Sequence, residues 1–246
     1  MKNVFFTKEF ANKNLKNHIV FICDHSTNYI PKKYNYLGLS RLKLKSHIAY
    51  DIGAKNITIN LAKKLRQSYF LSNFSRLLID PNRSIYDKDL IITNSFGIEI
   101  PGNLNISKSE KKKRISKIYD VYHHNLLKFV RDKKKKFQNV FVISIHSYTK
   151  ESLDFNRAIK IGLLWNKNMN LLLPIQRKLM EKKIHFGRNY PYSGFHFNHT
   201  LDTINKRLKV NNICIEIRND LICNQKGITK YMDLFSNILK DILDDH

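Results

Sequence analysis

The stretch VFVISIHS at residues 140–147 joins a run of apolar, mostly β-branched residues to a polar end that contains His146. Such a run is typical of a buried strand. The same arrangement occurs near the start of the chain, where VFIC at residues 20–23 is followed by Asp24 and His25. Functional sites of open α/β sheets lie at the carboxyl ends of their strands. The two histidines are therefore expected at the same edge of one sheet.

The rest of the chain predicts strands that alternate with helices. Apolar runs indicate strands at residues 18–23, 76–79, 139–145, 159–165 and 213–217, and helical spacing indicates helices at residues 54–66, 109–133, 174–182 and 231–243. This alternation is typical of a mostly parallel sheet with helices on both faces. The chain has 246 residues and contains no linker or repeat. The sequence therefore predicts a single α/β domain over residues 1–246, with a mostly parallel mixed sheet.

The chain is strongly basic, with a formal charge of +24 from 44 Lys and Arg against 20 Asp and Glu. A charge of this size raises the question of nucleic-acid binding. The densest basic runs, at residues 111–114 and 133–136, lie at the two ends of one predicted helix, and the other lysines are spread along the chain. Such runs are usually solvated faces. The composition favours a generally basic protein over one with a nucleic-acid-binding surface.

The cysteines and the apolar runs bear on location. Cys23, Cys214 and Cys223 form no paired-cysteine motif, which is typical of a reducing compartment. The first residues lack the pattern of a signal peptide, and no apolar run approaches the roughly eighteen residues that a membrane span needs. The prediction is a soluble, cytoplasmic protein that does not contact the membrane.

His25 and His146 are the strongest candidates for metal ligands, because neutral imidazole is the preferred nitrogen donor for zinc and each histidine follows a predicted strand. The third ligand is left open. Asp51 and Asp24 offer carboxylates, whereas Asn28 offers an amide oxygen, a weaker donor. We favour Asp51, whose alternative role is to cap the helix that follows it.

Glu216 lies within the apolar run CIEI at residues 214–217. An unpaired carboxylate is costly in such a strand, so it needs either a partner or a chemical role. Burial raises the pKa of a carboxyl group towards the range useful for general base and acid catalysis. The alternative is a buried ion pair with another arginine or with Arg218, which lies on the same face of the strand.

Arg83 is the candidate for binding an anionic substrate, because a guanidinium group matches a carboxylate in shape as well as in charge. Its alternative is an ion pair with Asp80 or Asp87. The stretch NYPYSG at residues 189–194 combines aromatic residues with a proline and a glycine, which predicts a structured loop over a site.

Together, and in this order over nearly the whole chain, these motifs resemble the N-formylglutamate amidohydrolase family. The matching pieces are Asp24-His25 with Ile30-Pro31, Tyr50-Asp51 with Gly53-Ala54, Ser75-Arg76 through Asp80 with Asn82-Arg83, His146-Ser147, Asn189 with Pro191-Tyr192-Ser193-Gly194, and Glu216-Ile217-Arg218 with Asp220-Leu221-Ile222. That family is similar in fold to the zinc carboxypeptidases and aspartoacylase. The resemblance therefore implies a zinc-carboxypeptidase-like mixed sheet flanked by helices.

The resemblance also implies an activity, the zinc-dependent hydrolysis of N-formyl-L-glutamate to formate and L-glutamate in histidine degradation. Zn²⁺ would be held by His25, His146 and the third ligand, and Glu216 would act as general base and acid towards the metal-bound water. The partner would be a small anionic N-acyl amino acid. The implied substrate-binding residues are Asn82, Arg83 and Tyr192, with Arg76, Arg188 or Arg218 for the second carboxylate of glutamate.

Two positions depart from the family pattern. Asn28 stands where a zinc peptidase carries Glu, three residues after the first histidine, and Tyr190 replaces the acidic residue that usually follows Asn189. The metal chemistry is therefore better defined than the substrate. One alternative is a metal-dependent hydrolase of another N-acyl amino acid or a short cell-wall peptide. An alternative of a different class is a basic nucleic-acid-binding protein with a vestigial metal site.

Overall fold

A mixed β-sheet forms the centre of the computed structural model, which describes residues 3–11, 16–151, 156–167 and 169–245. The strands are β1 (Phe5–Glu9), β2 (Asn17–Cys23), β3 (Ser68–Ser72), β4 (Asn94–Ser95), β5 (Ile98–Glu99), β6 (Asn139–Tyr148), β7 (Ile161–Leu164), β8 (Gly187–Arg188) and β9 (Asn211–Arg218). Within the described ranges, seven strands form the main sheet in the order β1-β3-β2-β6-β9-β7-β8, and β4 and β5 form a separate hairpin.

Parallel pairing dominates the main sheet. The strand pairs β2/β3, β2/β6, β6/β9 and β7/β8 are parallel, whereas β1 and β7 run antiparallel to β3 and β9. The two central strands, β2 and β6, are the apolar runs that precede the candidate histidines. The prediction of a mostly parallel mixed sheet is confirmed.

Helices cover both faces of the sheet. They are α1 (Arg41–Leu44), α2 (Ala54–Lys64), α3 (Lys108–Arg114), α4 (Asp120–Lys136), α5 (Leu172–Glu181), α6 (Gly194–Phe197), α7 (His199–Leu208) and α8 (Gln225–Asp245). One face packs against α2, α5 and α8, and the other against α4 and α7. Strand β2 shows the consequence, because Ile19 and Phe21 enter the first core while Val20 and Ile22 enter the second. None of the described helices has the length and apolarity needed to cross a membrane.

The predicted strand at residues 76–79 is wrong. This segment begins with a turn in which the Leu78 N–H donates to the Ser75 carbonyl (3.0 Å), and the Ser75 hydroxyl donates to the Ala49 carbonyl (2.8 Å). Leu77, Leu78 and Ile79 are nevertheless fully buried. An apolar run marks burial, and it does not separate a strand from a buried loop. The strand that pairs with β2 on this side is β3, whose sequence SYFLS mixes polar and apolar residues.

Most other predicted elements are confirmed with shifted ends. The helix predicted at residues 109–133 consists of α3, a single π-helical turn at Ile115–Tyr119, and α4, which continues to Lys136. The lysines at its end stay helical because Lys has good helix propensity, and Lys133 is buried against Glu9, with 2.5 Å between its Nζ and the carboxylate. The closing helix begins earlier than predicted, at Gln225, and the strand predicted at residues 159–165 shortens to β7.

His18, at the start of β2, is buried far from the candidate site. Its ring stacks on Phe137 with 4.1 Å between centroids, and its Nε2 lies 2.8 Å from the Ser68 hydroxyl. Burial lowers the pKa of His18 to about 4, and the nearby cations Lys133 and Lys136 act in the same direction, against Glu9. A histidine in the unfolded chain has a pKa of about 6.5. The unfolded chain therefore binds more protons between these two pKa values.

We expect acid to destabilise the fold through His18. The free energy of unfolding falls as pH drops through the window between the two pKa values, and the contribution of His18 is constant below it. The His18→Gln variant, which keeps a donor near Ser68, should lose about 2 kcal/mol less than the wild type between about pH 7 and about pH 4.5. Urea denaturation at the two pH values measures this difference. His185→Gln, at an exposed position, is the matched control, and equal losses in all three proteins would contradict the assignment.

Candidate active site

The candidate residues come together at the carboxyl edge of the central strands. His25 follows β2, His146 lies near the end of β6, and Glu216 is its direct neighbour on β9 in the parallel register. Asp51 approaches from the segment before α2. These four residues line one cavity of about 320 Å³. The same cavity is lined by His47, Arg76, Asn82, Arg83, Phe96 and Tyr192.

Three buried side chains form a group that can hold a metal ion. His25, Asp51 and His146 each offer one ligand atom, and these atoms lie within 4.8 Å of one another. The Asp51 Oδ2 atom is 2.8 Å from the Nδ1 atom of His146 and 3.4 Å from the Nδ1 atom of His25. Both imidazoles therefore present the same ring nitrogen to the carboxylate. Asp51 does not cap α2 with its side chain, since the residue at that position is Gly53.

The other ring nitrogens of the two histidines face carboxylates. His25 Nε2 lies 2.8 Å from Asp80 Oδ1, and His146 Nε2 lies 3.4 Å from Asp24 Oδ2. The Tyr122 hydroxyl donates to the other oxygen of Asp24 (2.6 Å). Metal-binding histidines commonly carry such carboxylates, which orient the ring and fix its tautomer. Two imidazoles oriented in this way, together with the carboxylate of Asp51, fit a divalent transition metal with an open coordination position.

The charges of the group stabilise one another. Burial by itself raises the pKa of Asp51, but His25, His146 and Arg76 outweigh burial and hold this pKa well below its usual range. Burial lowers the pKa of His146, whereas the carboxylates of Asp24 and Asp51 raise it well above its usual value. Asp51 is therefore ionised and available as a ligand.

Glu216 stands beside this group without an ion-pair partner in the described part of the chain. It is buried, and its Oε2 atom has no hydrogen-bond partner there. Burial raises the pKa of Glu216 to about 7, with Asp51 adding to the effect and His146 opposing it. The alternative ion pair with Arg218 is wrong, because the Arg218 guanidinium binds Asp220 instead (2.8 and 3.1 Å). Gly162, opposite Glu216 on β7, has no side chain; an added Cβ would lie 3.2 Å from the Glu216 Cβ.

Arg76 and Arg83 place two cations in the cavity, with different degrees of restraint. Arg76 donates to the carbonyls of Ile48 and His47, and its Nη1 lies 3.2 Å from Asp51 Oδ1. Its donors are thus largely used within the protein. Arg83 donates at 3.3 Å to the carbonyl of Asn82, lies over the Phe197 ring and approaches Asp87 only to 3.9 Å. Arg83 therefore keeps donors that can bind a ligand.

Four candidate residues from the sequence are absent from the cavity lining, namely Asp24, Asn28, Arg188 and Arg218. The side-chain NH2 of Asn28 donates to the carbonyl of Leu44 (2.8 Å), and Asp51 remains the third ligand that we propose. Arg218 is corrected as a substrate-binding residue because its guanidinium binds Asp220 and the Arg157 carbonyl. Arg188 lies over the Trp165 ring.

Asn82 and Tyr192 line the cavity, and both also hold neighbouring parts of the structure. The Asn82 side chain donates to the carbonyl of Phe197 (2.8 Å) and accepts from the Thr200 N–H (3.0 Å), which ties the loop after residue 80 to α6 and α7. The Tyr192 hydroxyl accepts from Arg157 (3.1 Å). The loop at residues 189–194 therefore contributes Tyr192 to the cavity lining.

Sequence reasoning missed His47 and the β4–β5 hairpin, whose turn residue Phe96 lines the cavity. Burial lowers the pKa of His47 to about 3, and Arg76 acts in the same direction. A usable signal was present, because His47 precedes Asp51 by four residues in the motif HIAYD at residues 47–51. The dipeptide Phe96-Gly97 marks the hairpin turn, where both residues have positive φ.

Comparisons with known proteins agree with the geometry. A family model described as N-formylglutamate amidohydrolase matches residues 17–223. A crystal structure of a gene product from Agrobacterium tumefaciens is similar with a TM-score of 0.91 and 28% identity, covering 98% of this chain and 95% of that one. The structure of N-formylglutamate amidohydrolase from Ralstonia eutropha JMP134 has a TM-score of 0.72 and 18% identity, covering 98% of this chain and 97% of that one, and supports the fold.

Among curated proteins, none matches the sequence. The family match nevertheless spans most of the chain, and it includes His25, Asp51 and His146, the three residues that can hold a metal ion. The chain therefore belongs to the N-formylglutamate amidohydrolase family, whose members are hydrolases that act on an amide bond.

Proposed function

We propose that the protein is a zinc-dependent amidohydrolase that cleaves N-formyl-L-glutamate to formate and L-glutamate. One observation carries the proposal. A single cavity contains a buried group that can hold a metal, a carboxyl group with a raised pKa, and an arginine with donors free for a carboxylate. This reaction is a step of histidine degradation. The three cysteines are unpaired, which supports a reducing, cytoplasmic location.

His25, Asp51 and His146 are the residues that would hold Zn²⁺. When bound there, Zn²⁺ supplies Lewis-acid chemistry that activates a water molecule near neutral pH and polarises the formyl carbonyl. The protein contributes the rigidity of this arrangement. Asp80 and Asp24 fix the two rings from behind, and the Ser147 N–H lies 3.3 Å from Asp51 Oδ2.

Glu216 is the group that moves the proton. It takes a proton from the attacking water as the new bond to the formyl carbon forms, and it delivers that proton to the nitrogen as the carbon–nitrogen bond breaks. A pKa of about 7 suits both steps, because the carboxyl group gains and loses a proton easily near neutral pH. The products are formate and L-glutamate, whose amino group is now free.

Arg76 and Arg83 have different roles in the proposed reaction. Arg76 is held at the cavity by its hydrogen bonds to the protein, so it acts mainly through its positive charge, which favours the oxyanion that forms on the formyl carbonyl. Arg83 projects into the cavity and binds a carboxylate of the substrate. Arg83 therefore affects how the substrate is held more than how the bond is broken.

We expect Arg83→Ala to raise KM for N-formyl-L-glutamate by about 30- to 100-fold, because a charge-assisted hydrogen bond to a carboxylate is lost. The value of kcat should change by less than about threefold, since this contact is present in both the ground state and the transition state. Arg83→Lys should recover only part of the loss, because Lys lacks the planar pair of donors. Steady-state kinetics of both variants measure the effect.

Arg188→Ala is the matched control for this prediction, because Arg188 is exposed and lies outside the cavity. An unchanged KM in Arg83→Ala would contradict the assignment. The same variant addresses the alternative of a nucleic-acid-binding protein. Binding to duplex DNA with a steep salt dependence, unaffected by Arg83→Ala and accompanied by no hydrolysis, would favour that alternative.

The direct test is formate release from N-formyl-L-glutamate by zinc-loaded protein, beside N-acetyl-L-glutamate and a short cell-wall peptide. The proposal expects the formyl compound to be cleaved with the highest kcat/KM. Faster cleavage of the acetyl compound or the peptide would keep the metal chemistry and replace the substrate. Absence of cleavage with all three compounds would overturn the proposed function.

A further inference from the structure

His47 is a buried histidine of the cavity that the mechanism above does not use. Its ring lies between the metal-holding group and the hairpin, with its Nδ1 3.9 Å from Asp51 Oδ1 and its ring edge-on to Phe96 (6.5 Å between centroids). The main chain of His47 is restrained, because its carbonyl accepts a hydrogen bond from Arg76. The backbone that carries the ring is therefore held next to the metal-holding group.

Neither nitrogen of this ring has a hydrogen-bond partner in the part of the chain that the structure describes. Nδ1 is fully buried without one. His47 lines the cavity, so Nε2 is the nitrogen left to face a ligand. A ring nitrogen that faces the cavity without a partner from the described residues can pair with a ligand bound there. The ring is thus prepared for a contact that the protein itself does not make.

The tautomer of His47 follows from its surroundings. Nδ1 lies 3.9 Å from the carboxylate atom Oδ1 of Asp51, so the proton of the neutral ring is best placed on Nδ1. Nε2 then carries the lone pair and accepts a hydrogen bond. Of the cavity residues already given a role, Arg76 and Arg83 are donors, and Glu216 exchanges a proton with water and the leaving nitrogen, so none of these three is a fixed acceptor.

We propose that His47 is a specificity-determining residue whose Nε2 accepts a hydrogen bond from the amide N–H of an N-acyl amino acid. This inference rests on the proposed function of the site. An N-acyl α-amino acid has one such N–H, on the nitrogen of the bond that is cleaved, and the cavity needs an acceptor for it close to the metal-holding group. The site would therefore select secondary amides over tertiary amides, which lack the N–H.

The test compares N-formyl-L-glutamate with N-formyl-N-methyl-L-glutamate, which differ in this hydrogen. For wild-type protein loaded with zinc, we expect kcat/KM to be at least about 30-fold lower for the N-methyl compound, because a buried acceptor is left unpaired. In His47→Ala this ratio should fall to about threefold or less, mainly through slower cleavage of the N–H compound. His47→Gln, which places an amide oxygen near the Nε2 position, should restore most of the ratio, and His47→Asn should not.

Zinc affinity, measured by competition with a chelator, is the second readout. It should stay within about threefold of the wild-type value in all three His47 variants, because His47 does not ligate the metal. His185→Ala, at an exposed position, is the control for histidine removal. An unchanged substrate ratio in His47→Ala, with or without a loss of zinc affinity, would overturn the proposal and make His47 a structural support of Asp51. If wild-type protein cleaves neither compound, the proposed function fails, and the role of His47 falls with it.

Discussion

Glu216→Gln should lower kcat for N-formyl-L-glutamate by about a thousandfold or more, because the amide can neither accept the proton of water nor return it to the leaving nitrogen. The glutamine should fit the site without changing its shape. Glutamine has nearly the shape of protonated glutamate, and Glu216 already tends towards the protonated form, with burial raising its pKa to about 7. KM should change little, since Arg83 supplies the main contact to the substrate carboxylate.

Folding should respond differently from activity. The Oε2 atom of Glu216 is buried without a hydrogen-bond partner in the described ranges, and no ion pair with it is formed there. Removing an uncompensated buried charge is neutral or stabilising, so the free energy of unfolding of Glu216→Gln should equal that of the wild type or exceed it by up to about 1 kcal/mol. Thermal denaturation without metal measures this quantity. Loss of activity with retained stability separates a catalytic role from a structural one.

Two further variants define the result. Glu181→Gln makes the same change on an exposed part of α5, where the carboxylate pairs with Lys178 at 3.6 Å, and should leave activity intact. Glu216→Asp keeps the charge but withdraws it from the cavity, so its kcat should lie between those of Glu216→Gln and the wild type. If Glu216→Gln retained more than about a tenth of wild-type kcat, proton transfer would have to be assigned to another group.

His25 and His146 could be predicted from the sequence because the signal for each lies in the residues directly before it. An apolar run before His25 or His146 predicts a strand, and parallel strands place their ends at one edge. Glu216 was readable for a related reason, since a carboxylate inside an apolar run must be either paired or functional. These inferences need only the pattern of apolar residues along the chain and the free-energy cost of burying a charge.

The remaining site residues depend on tertiary contacts that no local pattern encodes. Asn28, three residues from His25, is a reasonable ligand by spacing, but its side-chain NH2 donates to the carbonyl of Leu44 and the residue is absent from the cavity lining. Arg218 shares a strand with Glu216, yet the nearby Asp220 draws its guanidinium away. Phe96 reaches the cavity only because the hairpin folds back over it. Which partner a long polar side chain selects is decided by distances between segments far apart in sequence.

Asp51→Asn should have the second large effect, on metal binding and on stability together. In the protein without metal, the Asp51 carboxylate accepts from Arg76 and lies within ion-pair distance of His25 and His146. Removing its charge leaves these buried donors without their counter-ion, so the free energy of unfolding should fall by about 3 kcal/mol. A neutral amide oxygen is also a weaker ligand, so zinc affinity should fall by at least about a hundredfold.

The loss of metal binding also appears in thermal denaturation. A ligand that binds only the folded state stabilises it by about 4 kcal/mol at a thousand times its Kd, so zinc should raise the Tm of the wild type by several degrees. In Asp51→Asn the same zinc concentration should give almost no rise. Asp89→Asn, in an exposed residue of the same cavity, should keep both the affinity and the shift.

Asn28→Ala completes this comparison, because it addresses the competing third ligand. With its amide on the carbonyl of Leu44, Asn28 should contribute nothing to zinc affinity, and its removal should cost only the hydrogen bond, about 1 kcal/mol of stability. If Asn28→Ala weakened zinc binding as much as Asp51→Asn, the loop after His25 would have to rearrange when the metal binds. If only Asp51→Asn weakens it, the metal is held by residues that are already in place, and binding requires only the displacement of their protons.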